Sequence, residues 1–182
     1  MIEKEFFMIK KISFILLGLC IAFLLICCDG SGGGGGGDSS AFDTEYAAIA
    51  GGGTKYVVKD IVGRADPPIS NFSIVDGGIK FTEGGYPYEI YITIFLNADG
   101  KFASKEGGKA LGESIGNFEF TGTWVKEGTT ITMTATKEKD LDTGKVKDCN
   151  VVSKAEMSAD ESTMTDIEIH GEAGAEYIYK KQ

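Results

Sequence analysis

Apolar residues alternate with polar ones over most of the chain beyond residue 50, which is the signature of half-buried β-strands. The clearest case is Tyr88 to Leu96, where Tyr88, Ile90, Ile92, Ile94 and Leu96 share one face and Glu89, Tyr91, Thr93 and Phe95 the other. "NADG" (Asn97 to Gly100) follows as an Asp-Gly hairpin signal, and Lys101 to Ser104 returns as the partner strand. The stretch Asn117 to Thr136 reads as a second hairpin turning at "KEG". Phe118, Phe120, Gly122 and Trp124 lie on one face, opposite Ile131, Met133 and Ala135 of the returning strand. The other face of that strand is a ladder of Thr130, Thr132, Thr134 and Thr136, β-branched and polar as an outer wall requires.

Further strands are predicted at Thr54–Val62, Ile79–Thr82, Lys147–Met157, Thr163–Ile169 and the terminal "EYIYKK". In the strand Lys147–Met157, Cys149, Val151, Ala155 and Met157 are expected to point inward. "RADPPISN" reads as a loop because two prolines cannot sit in a ladder, and "KEGGKALGESIG" (Lys105 to Gly116) as a polar, flexible loop. A short helix is expected at Phe42–Ala50, capped by Asp43 or Thr44. Eight or nine short antiparallel strands with regular turns predict an all-β, up-and-down meander. It closes on itself to hide its edges, with the aromatic face inside.

Periodicity of this kind is missing from the front of the chain. Lys10 and Lys11 precede an uncharged run from Ile12 to Cys28, the layout of a secretory signal. A start at Met8 would give the cleaner signal "MIKKISFILLGLC", so the first seven residues are expected to precede the true start. The run is short for a membrane span, which takes about 20 apolar residues, and no positive stop-transfer charges follow it. Residues 29–40, "DGSGGGGGGDSS", form a Gly/Ser linker whose reach grows as about 5–6 Å times the square root of residue number. The domain proper is then 41–182, preceded by a signal segment at 1–28.

Composition narrows the function classes. The 27 acidic residues outnumber the 18 basic ones, and no basic stripe exists, which argues against a nucleic-acid partner. The six-glycine tract has no strand before it and no helix after it, so it is not a phosphate loop. The chain holds one histidine, His170, which alternation puts outward together with Glu168 and Asp166, opposite Ile167 and Ile169. One histidine and one cysteine in the body, Cys149, leave no metal site and no nucleophile–base pair. Cys149 reads as an apolar thiol on a strand. "DLDTGK" (Asp140 to Lys145) starts like a calcium loop, but it lacks the downstream glutamate and flanking helices, and reads as a hairpin turn. No catalytic residue and no cofactor is expected. Carboxylate pairs acting on glycans stand as the enzymatic alternative.

Two resemblances add to this reading. "LLICC" (Leu24 to Cys28) resembles the lipobox of bacterial lipoproteins. The resemblance implies cleavage and attachment of a diacylglycerol, with acyl chains such as palmitate, to the thiol of Cys28, with Cys27 as the alternative. It further implies a domain tethered through its N-terminal lipid to the inner or outer membrane of a bacterial envelope, in the periplasm or at the surface. The segments "FLNADGKF", "FTGTWVKEGTTITMT", "MSADESTMTDI" and "EYIYKK", within Tyr88 to Lys181, resemble the small lipocalin-like barrels of exported lipoproteins. That likeness implies an eight-stranded barrel able to hold a small hydrophobic ligand, with Phe118, Phe120, Trp124 and Ile92 as candidate ligand-binding residues. Otherwise the core is filled, and loops such as Ser104–Gly116 meet a protein partner.

Overall fold

A computed structural model of the chain describes residues 38–62, 69–167 and 176–182. The signal segment with Cys27 and Cys28, the glycine tract, Arg64–Pro68, Glu168 and His170 lie outside the described residues. Among the described residues one helix, α1 (Ser39–Gly52), precedes ten strands: β1 (Thr54–Val62), β2 (Ile69–Val75), β3 (Gly78–Glu83), β4 (Tyr86–Leu96), β5 (Lys101–Ala110), β6 (Glu113–Glu127), β7 (Thr130–Asp140), β8 (Val146–Met157), β9 (Thr163–Asp166) and β10 (Glu176–Lys181). All pairings are antiparallel, and each of β4 to β9 pairs with its successor. β1 joins both β10 and β4, closing an eight-stranded barrel of β1 and β4 to β10.

β2 and β3 are the two extra strands. The first half of β4 (Tyr86–Tyr91) pairs with β3, and its second half (Thr93–Leu96) with β1. Gly78 stands where β3 meets the middle of β4. A side chain there would run into the Ile90 carbonyl and the Tyr91 ring, so glycine is needed at the fork. β2 replaces the expected loop over Ile69–Asn71. Its apolar residues do not alternate because Asn71 takes a positive φ of 51° and the pairing with β3 slips between Ser70 and Ser73. The expected polar loop Lys105–Gly116 is likewise a hairpin: β5 and β6 pair from Lys101↔Thr123 to Ala110↔Glu113 and turn at Leu111–Gly112.

The core lies inside the barrel, and β4 follows the predicted alternation, with Tyr88, Ile90, Ile92, Ile94 and Leu96 all buried. Ile131, Met133 and Ala135 oppose them from β7, with Val151, Ala155 and Met157 from β8. Cys149 is half-buried against the same core. "DLDTGK" is the β7–β8 turn, closed by Asp140 N–H donating to the Lys145 carbonyl (2.9 Å).

α1 is longer than expected and takes in the end of the linker, Ser39 and Ser40. Asp38, not Asp43 or Thr44, caps it. Its side chain accepts from Ser40 N–H at 2.9 Å, and its carbonyl receives the first helical bond, from Phe42 N–H. The helix lies outside the barrel across β4 to β7, burying Phe42 and Ile49. Tyr46 meets Phe95 of β4 edge-on, and Glu45 and Asp43 pair with Lys137 and Lys139 of β7. No helix among the described residues is long and apolar enough to cross a membrane.

Candidate functional site in the barrel interior

Strand direction divides the interior into two ends. The turns after β4, β6 and β8 sit at one end, here the base, and those after β3, β5 and β7 at the other. The base is tied by its own side chains. Trp124 Nε1–H donates to the Asn97 carbonyl (2.9 Å), and Tyr56 Oη to the Glu161 carbonyl (3.0 Å). Lys126 pairs with Glu161 across the same turn.

Toward the upper end the inner wall turns acidic. Glu106 on β5 is directly opposite Ile92 of β4 on one side and Phe118 of β6 on the other. Residues directly opposite share a face, so its carboxylate stands on the inner wall between them. Ser104 is opposite Phe120 and donates to Glu106 Oε1 at 2.9 Å. Glu138 on β7 is opposite Phe120 and 1% exposed. It is turned inward because the β6–β7 ladder skips a residue, passing from Thr121↔Lys137 to Gly122↔Ala135, so that the inner positions of β7 run 131, 133, 135 and then 138. Asp166 ends β9, two residues beyond fully buried Met164 and on its face, and accepts from Tyr179 Oη of β10 at 2.8 Å. This corrects the outward placement of Asp166. The alternation counts from Met164, and Ile167 is the exposed residue.

Burial raises the Glu106 carboxyl to about 7, against the pull of its Ser104 hydrogen bond, and the charges of Asp166 and Glu138 push it further up. Burial likewise raises Asp166 to about 7, opposed by the Tyr179 hydrogen bond and assisted by Glu176. Tyr179 is itself pushed well above the usual phenol range, by burial first and then by Asp166. Lys147 reaches Glu138 Oε1 at 3.1 Å. Glu138 Oε2, buried in the same wall, has no hydrogen-bond partner. Among the described residues no salt bridge reaches Glu106 or Asp166.

Three of the four residues expected to bind ligand, Ile92, Phe118 and Phe120, therefore gather beside Glu106 and Glu138, the two rings tilted at 6.3 Å. Trp124 is separated from them, at the base, where its indole closes the barrel. Glu106, Glu138 and Asp166 escaped the sequence reading because carboxylates were expected in solvated turns. The described residues contain no group of three or more His, Cys, Asp or Glu placed to hold a metal ion. Outside the barrel, where α1 meets β7 and β8, Asp38, Phe42, Lys137 and Val146 edge a cavity of about 110 Å³. It is small beside the roughly 300–1,000 Å³ of ordinary ligand sites. No protein-family model, no curated protein and no solved structure matches the chain.

Proposed function

We propose that this chain is a lipid-anchored binding module of the bacterial cell envelope, without catalysis, whose lipocalin-like barrel holds a small ligand with an apolar body. The observation that carries the reading is the inner wall near the upper end. There Ile92, Phe118 and Phe120 lie beside Ser104 and Glu106, apolar surface with a few convergent polar groups. An eight-stranded barrel has room for packed side chains or one small ligand. The anchor rests on the "LLICC" run and the glycine-rich spacer after it.

Two measurements on the protein purified from bacterial membranes test this. Intact mass is expected to show a chain beginning at Cys28 and carrying a diacylglycerol, and Cys28→Ala to abolish that modification. An uncleaved, unmodified terminus refutes the anchor. Native mass spectrometry is expected to show a noncovalent small-molecule adduct. A second reading, a surface lipoprotein with a filled core, is favoured by the packing at Gly122, where an added Cβ would meet the Phe102 ring at 2.8 Å. A clean apoprotein mass supports that second reading over ligand capture.

A further inference from the structure

Resting on the reading of the barrel as a small-ligand site, we infer that its ligand carries a protonated amine, received by Glu106 and Glu138 on the inner wall of β5 to β7, with Asp166 facing them from β9. Glu106 of β5 and Glu138 of β7 flank β6 on one stretch of the inner wall, and Asp166 faces into the barrel from β9 on the other side, its charge acting on Glu106. Ile92, Phe118 and Phe120 neighbour Glu106 and Glu138, and the Tyr179 hydroxyl meets Asp166. Buried carboxylates are tolerated when paired, and the pairing in this wall is incomplete. Lys147 meets one oxygen of Glu138, while the donors to Glu106 and Asp166 among the described residues are hydroxyls, those of Ser104 and Tyr179.

An independent observation points the same way. Glu138 is 99% buried, and its Oε2 accepts nothing from the described residues. A buried carboxylate oxygen without a donor leaves a site for one, and an ammonium brings three N–H donors together with the missing positive charge. The aromatic faces beside it suit the same partner, because a cation is drawn to a ring face within about 6 Å. An anionic ligand would add to the carboxylate repulsion already present. A neutral apolar ligand would leave Glu138 Oε2 as it is. The chemical class assigned is therefore a primary or secondary alkyl ammonium with a compact apolar or aromatic body.

Equilibrium dialysis of the full chain in detergent micelles tests this, with empty micelles as the blank. Three probes share one phenyl ring: phenethylamine as the cation, 3-phenylpropionate as the anion and propylbenzene as the neutral form. At pH 8 the carboxyls that titrate near 7 are ionised. An alkyl ammonium, titrating near 10 like lysine, keeps its proton. Phenethylamine is expected to bind at least tenfold more tightly than 3-phenylpropionate. Glu106→Gln and Glu138→Gln are each expected to weaken it at least tenfold without changing propylbenzene binding. If cation and anion bind equally, or if neither substitution changes their ratio, the amine assignment is overturned while the small-ligand reading stands. If none of the three probes binds, both are overturned.

Discussion

Glu106→Gln is predicted to stabilise the protein in alkali and to leave it nearly unchanged in acid. The carboxyl titrates at about 7 in the fold against 4.5 for a free glutamate. Below about pH 4.5 it is protonated whether the chain is folded or unfolded, and contributes nothing to the balance. Between 4.5 and 7 the unfolded chain ionises while the folded one holds its proton, so stability falls as pH rises. Above 7 the loss is complete. At about 1.4 kcal/mol per pH unit, the interval amounts to about 3 kcal/mol. Glutamine keeps an acceptor for Ser104 Oγ and removes both the half-buried charge and its repulsion with Asp166 and Glu138. Urea unfolding of the full chain and of the variant, in the same detergent at pH 4 and pH 8, reads the difference. With a slope of about 1–3 kcal/mol per molar urea, the variant's midpoint should lie about 1–3 M higher at pH 8 and within error of the parent at pH 4. Equal midpoints at pH 8, or a gain of the same size at both pH values, would refute the claim that burial and neighbouring charge raise this carboxyl. A carboxylate that ionises above about pH 7 at the expense of the fold is what the proposed ligand site calls for.

Two further outcomes follow from the barrel wall. Thr121 is fully buried on the face opposite the core, and its Oγ1 has no partner among the described residues, so Thr121→Val should stabilise by about 1 kcal/mol in the same urea titration; a loss of stability would mean that the hydroxyl is satisfied after all. Gly122→Ala would drive a methyl group against the Thr134 carbonyl, the Phe102 ring and the Ala135 backbone at once. A cost of about 3 kcal/mol, at the top of the overpacking range, is expected, and with it a thermal midpoint lower by about 10 °C; an unchanged midpoint would show that the β6–β7 ladder can open there.

How much of this was legible in the residues depends on what the inner wall is made of. Where inward positions are apolar, alternation alone placed them. Tyr88 to Leu96 of β4 and Ile131, Met133 and Ala135 of β7 are buried as the pattern requires. The Asp-Gly turn at Asn97–Gly100 and the turn at Asp140–Lys145 were equally readable, because their backbone chemistry is local. The pattern failed along β5. Its inward positions after Phe102 are Ser104, Glu106 and Gly108, so the strand looked like a solvated loop. It failed again at β7, where a skipped residue moved the inward set from odd positions to Glu138, and at β9, where Asp166 points inward. No composition signal reports a bulge, since the shift exists only in the pairing of two strands.

These failures coincide with the candidate site, and the coincidence has a physical reason. A strand whose inner face is apolar is held by burial and announces itself through alternation. A strand that offers carboxylates to the interior breaks alternation, and it must be held in place by neighbours that keep the rule. Glu106 stands between Ile92 and Phe118, and Glu138 beside Phe120, so well-patterned residues surround each exception. The ladder supplies the register, and the cost of the buried acids is borne by the packing around them. Reading Lys105–Gly116 as a loop was thus an error with content. Its polar and glycine residues are a strand that gives up core packing at Ser104, Glu106 and Gly108 and places a carboxylate where an ordinary barrel would carry an aliphatic side chain.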